Sequence, residues 1–183
     1  MPFKRSRLYV GLYVRGGSPK MPGKEDTYHW ALLTGPQTDP KLGCRHVMYH
    51  VKERLVVEGE PRVARRVWEY TTEFDRTPML LVRIAIAKVS NIHRLERALQ
   101  KVPLCPDKEG WNCVEWVREA IQLASRERGA LGPTITDWSA IRDKTMWYVD
   151  QKKAAHRYDG LGLRADLART ATWDMLVDRE LIN

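Results

Sequence analysis

Cys113 stands in the stretch Trp111-Asn112-Cys113-Val114-Glu115-Trp116-Val117, between the turn-rich Cys105 to Gly110 and the helical run Arg118 to Ala124. With Gly110 as a stop and Asn112 as a cap, the cysteine falls in the first turn of a helix. Unpaired backbone N–H groups and the positive end of the helix dipole stabilise a thiolate there, so the thiol pKa is expected below the free value of about 8.5. That is the chemistry of a nucleophile. The competing reading is packing, because Cys113 also continues the apolar stripe of Val117 and Ala120.

A thiolate nucleophile requires a base or an ion-pair partner, and histidine is the usual one. The chain has five histidines. His29 lies in the strand-like Tyr28-His29-Trp30-Ala31-Leu32-Leu33, sharing a face with Ala31 and Leu33 while Tyr28, Trp30 and Leu32 take the other. His46 and His50 are four apart and therefore on one strand face, and either can orient His29 as a third member. Two histidines without an associated Asp, Glu or Cys set do not make a metal site, and neither a metal nor a cofactor is expected. His93 and His156 receive no role.

These residues need a scaffold. Arg7 to Val14, Tyr28 to Gly35, Arg45 to Lys52, Val67 to Phe74 and Leu80 to Val89 carry β-branched and aromatic residues in alternation or short apolar runs. The spacings between them leave no room for crossover helices, which implies an antiparallel sheet of about five strands. From Asn91 the apolar period becomes helical. Asn91 caps a first helix that stops before Pro103, and Val114, Val117, Ala120, Ile121 and Ala124 stripe a second. Asp137 caps a third helix over Trp138 to Ala154, and a fourth is expected over Leu163 to Leu181. Strands followed by helices indicate an α+β class. The expectation is one domain over 1–183, strand-rich in 7–89 and helical in 91–181.

At 183 residues with 43% hydrophobic and 30% charged side chains the chain has a globular composition. It holds no window near the roughly 18 apolar residues that a membrane helix needs. Three cysteines without CxxC spacing fit neither a disulfide framework nor zinc, and a cytoplasmic protein is expected. The net charge of +8 favours acidic partners such as RNA or phosphorylated substrates, although no RNA-binding fingerprint is present.

The order strand, His29-Trp30-Ala31 strand, histidine-bearing strand, further strands, helix, Asn112-Cys113 helix resembles the circularly permuted papain-like proteins, in particular the lecithin retinol acyltransferase-like branch. The resemblance implies that fold, with Cys113 as nucleophile, His29 as general base and His50 as orienting residue, His46 competing for the last role. Glu115 stands one place later than the family's glutamate, and no histidine follows Cys113 within the motif. The stretch Leu8 to Pro36 also resembles a set of small filamentous-fungal proteins that includes arginine-containing cyclodipeptide synthases, which implies aminoacyl groups taken from charged tRNA.

Together these resemblances imply cysteine-dependent acyl transfer through a Cys113 thioester, with charged tRNA as the specific donor. Tyr28 is a candidate oxyanion donor, and Glu25, Asp26 and Glu115 are candidates for holding a guanidinium by bidentate pairing. The loop Arg15 to Asp26 is a candidate wall of the substrate site. Competing expectations are a cysteine peptidase or amidase of the same fold and a non-catalytic, basic RNA-binding protein.

Overall fold

The computed structural model describes residues 6–37, 46–75, 79–161 and 169–183. Its elements are β1 (Ser6–Val14), a short 3-10 turn (Glu25–Thr27), β2 (Tyr28–Pro36), β3 (His46–Glu58), β4 (Val63–Asp75), β5 (Leu80–Val89), α1 (Ile92–Gln100), α2 (Cys113–Arg126), β6 (Leu131–Thr134), α3 (Trp138–Ala154), β7 (Ala171–Asp174) and β8 (Arg179–Ile182). The class is α+β. Among the described residues, eight strands form one sheet in the order β4-β3-β2-β1-β5-β7-β8, with β6 pairing on β5, and three α-helices accompany it.

The five expected strands are all present as antiparallel neighbours, but the sheet is larger and mixed. β7 runs parallel to β5, because the chain passes through all three helices between them and returns in the same direction. The expected fourth helix over Leu163 to Leu181 is replaced by β7 and β8 across residues 171–182; its first six positions lie outside the described residues. The reason is turn chemistry. Asp174 Oδ1 accepts the Leu176 N–H at 2.9 Å and Asp178 takes φ 45°, closing a tight turn that a helix period cannot read. The helical expectation for 91–181 therefore holds for α1, α2 and α3 and not for β6, β7 and β8.

Three side-chain caps start the helices. Asn91 accepts from Arg94 N, Asn112 from Val114 N and Glu115 N, and Asp137 from Ala140 N. All three helices cover one face of the sheet. Leu8, Val10 and Leu12 of β1, Tyr28, Trp30 and Leu32 of β2, and Val82, Ile84 and Ile86 of β5 meet Val114, Trp116, Val117, Ile141 and Val149 in one buried cluster. Trp30 and Trp116 are fully buried, so both tryptophans are core residues.

The other sheet face buries Tyr9, Tyr13, Ala31, Leu33, Met48 and Ala85. It also buries a polar group in which Arg83 donates to His46 and, from Nε at 2.8 Å, to Thr172 Oγ1, with its guanidinium 4.7 Å from the Tyr9 ring centre. Gly35 makes room for this arrangement, since a Cβ there would occupy the space of the His46 ring.

Candidate active site

The site begins where β2 and β3 separate. Their ladder covers only Leu32↔Tyr49, Leu33↔Met48 and Thr34↔Val47, leaving Tyr28 to Ala31 paired with β1 alone. The N-terminus of α2 comes to this open stretch. Gly110, at φ 73°, turns the chain, Trp111 packs edge-on against Trp68, and Asn112 caps the helix so that Cys113 opens it. The backbone N–H groups of Trp30, Cys113 and Val114 act to favour the Cys113 thiolate.

Alternation along β2 places His29 on the face opposite Trp30. Its ring lies 6.2 Å from Tyr13, its cross-strand neighbour, and its Nε2 is 2.7 Å from His50 Nδ1. His50 Nε2 is in turn 2.7 Å from Glu73 Oε1 on β4. The thiol thus belongs to the helix-side core with Trp30, the residue that follows His29, whose own ring is on the other face. Among the described residues no hydrogen bond joins the Cys113 sulfur to the His29 ring.

Proton positions along this chain follow from what each group can do. Ionised Glu73 only accepts, so His50 Nε2 carries a hydrogen. Burial lowers the His50 pKa, against the opposing pull of Glu73, so the ring is neutral and its Nδ1 has no second hydrogen. His29 must then donate through Nε2. Burial first, then repulsion from His50 once that ring is protonated in acid, and from the charges of Arg15 and Lys52, lowers its pKa from 6.5 to about 4. A neutral His29 donating through Nε2 has a bare Nδ1, the nitrogen available to take a proton.

The thiol corrects an expectation. Burial pushes the Cys113 pKa up, only partly offset by the Trp30 N–H, the Arg15 charge and the N–H groups of Cys113 and Val114. With the residue 3% exposed, desolvation of the thiolate outweighs the helix start. Iodoacetamide is therefore expected to label Cys113 about tenfold more slowly at neutral pH than half-buried Cys105, with the rate climbing only above the ordinary thiol range. Residue-resolved mass spectrometry over a pH series measures this; labelling of Cys113 faster than Cys105 would mean a lowered thiol pKa.

His46, the competitor for the third position, is directed instead at Arg83 and packs against Tyr9. Although His46 and His50 share a strand face, they serve different clusters.

The expected substrate residues also separate. Asp26 accepts the N–H groups of Lys20 at 2.7 Å and Met21 at 3.0 Å, so its carboxylate holds the Arg15 to Asp26 loop in shape and is not open to a guanidinium. Glu25 and Glu115 line one cleft of about 410 Å³ together with Met21, Val114, Arg118 and Arg142, which makes that loop a wall of it. Glu115 pairs with Arg118 at 3.3 Å and Glu25 with Arg142 at 3.8 Å, while Glu25 Oε2 is buried without a hydrogen bond among the described residues. Tyr28 is buried and its hydroxyl accepts from Lys153 Nζ at 3.2 Å, leaving its own hydrogen to donate.

Two contributors are not legible in the sequence. Glu73 lies on a recognised strand, but its meeting with His50 depends on the β3–β4 register, in which Met48 opposes Glu73 and His50 opposes Thr71. Arg15 sits in a Gly/Pro loop, and only the fold brings its charge to bear on both Cys113 and His29.

The fold and site define an α+β protein with a buried helix-start cysteine and, on the opposite face of β2, a His-His-Glu hydrogen-bond chain. The sequence profile of DUF6914, described as a family of unknown function, matches residues 5–182, and the chain belongs to that family. Neither a curated protein nor a solved structure matches it.

Proposed function

We propose that this protein is a cysteine-dependent acyltransferase in which Cys113 carries the acyl group as a thioester and His29 is the general base. The observation that carries this reading is the hydrogen-bond chain from Glu73 through His50 to His29, with bonds of 2.7 Å, next to Trp30, which shares the helix-side core with Cys113. A neutral imidazole and a neutral thiol suit proton removal during attack rather than a standing ion pair, and the role requires the His29 ring to reach the sulfur at the open edge of β2 when substrate binds. The absence of a thiol–imidazole bond is compatible with this role, since catalytic hydrogen bonds in unliganded sites are often long and tighten when substrate binds.

In the reaction, His29 Nδ1 takes the Cys113 proton as sulfur bonds to the carbonyl carbon. The carbonyl electrons move to oxygen, where the Cys113 N–H and the Tyr28 hydroxyl are the candidate donors. Collapse breaks the ester C–O bond, and the alkoxide leaves with the proton from His29. An amine then attacks the thioester, His29 takes its proton, and the thiol is restored as the C–S bond breaks. Water in place of the amine gives the peptidase or amidase version on the same fold, here a permuted papain-like one.

An aminoacyl-tRNA donor, joined twice to form a cyclodipeptide, is the finer form of this proposal. Its ester is already activated, and the +8 charge suits a polyanion. Glu25 and Glu115 in the cleft beside α2 supply carboxylates for a cationic acyl side chain.

Intact-protein mass after incubation with charged tRNAs, peptides and activated esters tests the proposal. A hydroxylamine-sensitive adduct on the native chain and none on Cys113→Ala is expected; equal product from both proteins removes Cys113 as nucleophile. The rival, a binding module with Cys113 in its core, draws support from the 3% exposure and raised thiol pKa, and it predicts no adduct with any donor.

A further inference from the structure

A second cavity, of about 340 Å³, opens between the C-terminal end of β1, the start of β2 and the last turn of α3. Its walls are mainly carbon: Val14, Leu81 and the rings of Tyr28 and Tyr158. An arginine and a lysine stand on it. Arg15 gives one N–H to the Asp26 carbonyl at 3.1 Å, and Lys153 Nζ bonds the Tyr28 hydroxyl at 3.2 Å and lies 5.6 Å from the centre of that ring. Among the described residues neither cation has a carboxylate partner.

The cavity's own acid is already engaged. Asp159 accepts from His156 Nδ1 at 2.7 Å and from the Leu161 N–H at 2.9 Å. The Tyr158 hydroxyl donates to the Leu81 carbonyl at 2.9 Å, leaving its ring as wall. An apolar slot with two cations satisfied only by neutral oxygens is complementary to an amphiphilic anion, because a charge-assisted hydrogen bond is roughly twice as strong as a neutral one.

We propose that this cavity is a substrate subsite for an anionic group, a carboxylate or phosphate joined to a short apolar segment, held by Arg15 and Lys153. Tyr28 is the wall shared with the catalytic strand, since His29 follows it directly. The assignment to substrate rests on the acyl-transfer reading; the binding itself does not.

NMR titration of the full chain with hexanoate, hexyl phosphate and neutral hexanol, reading the amides of Arg15, Tyr28 and Lys153, tests it. At least one anion is expected to bind about fivefold or more tightly than hexanol, and Arg15→Gln and Lys153→Met are each expected to weaken it about fivefold while leaving hexanol unchanged. Tighter binding of hexyl phosphate identifies a phosphorylated group and tighter binding of hexanoate a carboxylate; both outcomes support the subsite. Equal binding of hexanol, unchanged anion affinity in both variants, or no response of these amides overturns it. If anions bind here and no Cys113 adduct forms with any donor, the acyl-transfer reading fails and the subsite stands. If the adduct forms and anions show no preference, the subsite alone fails.

Discussion

In a His29→Ala protein the rate of Cys113 acylation by an activated ester is expected to fall about a thousandfold, with the fold intact. The size follows from the state of the thiol. Because burial holds Cys113 protonated, little thiolate exists at neutral pH to react unaided, and loss of the base removes the route by which the proton leaves. The two proteins should also differ in their dependence on pH. With a His29 pKa of about 4, the native base is free across the neutral range, so the rate should hold on acidification and fall only as that value is approached. The variant's rate should instead climb with pH as thiolate forms. Glu73→Gln is expected to lie between the two, because an amide can present a hydrogen to His50 Nε2 and reverse the donor order along the chain. Single-turnover mass measurements over a pH series decide the matter; a His29→Ala rate within twofold of the native one, with the same profile, would remove His29 as base.

What the sequence disclosed about this site was local. Gly110 and Asn112 announced the start of α2, Asn91 and Asp137 announced two other helix starts, and strict alternation put His29 and Trp30 on opposite faces of β2. What it hid depends on distant contacts. The helix start speaks for a low thiol pKa, but burial among Trp30, Val114 and the rest of the helix-side core acts in the opposite direction and is larger. His46 and His50 are equivalent in spacing; only the Arg83 guanidinium of β5 and the carboxylate of β4 tell them apart. Asp26 resembles an open acid in the sequence, which does not show that two backbone N–H groups of its own loop occupy it. β7 and β8 are hidden for a related reason: Ala171, Thr172 and Asp174 are all buried, so β7 shows no alternation of buried and exposed positions.

Mild acid is expected to destabilise this protein before carboxylate protonation requires it. The unfolded chain takes up a proton on His29 near pH 6.5, whereas the folded chain does so only near 4. Between these values the unfolded state binds more protons, so stability is complete above 6.5 and declines as the pH falls toward 4. The full interval corresponds to about 3 kcal/mol, which coupling to His50 and the partial solvent access of the ring reduce to about 2 kcal/mol. His50, whose pKa is also lowered by burial, adds to the same slope, and its bond to Glu73 limits the contribution. Urea unfolding across this range should therefore show a falling midpoint with little change in m, and His29→Asn should flatten the dependence while costing about 1 kcal/mol at neutral pH for the lost bond to His50. Parallel pH slopes for the native and His29→Asn proteins would mean that His29 titrates alike in the folded and unfolded states. The neutral imidazole pair on which the direction of proton transfer depends would then be absent.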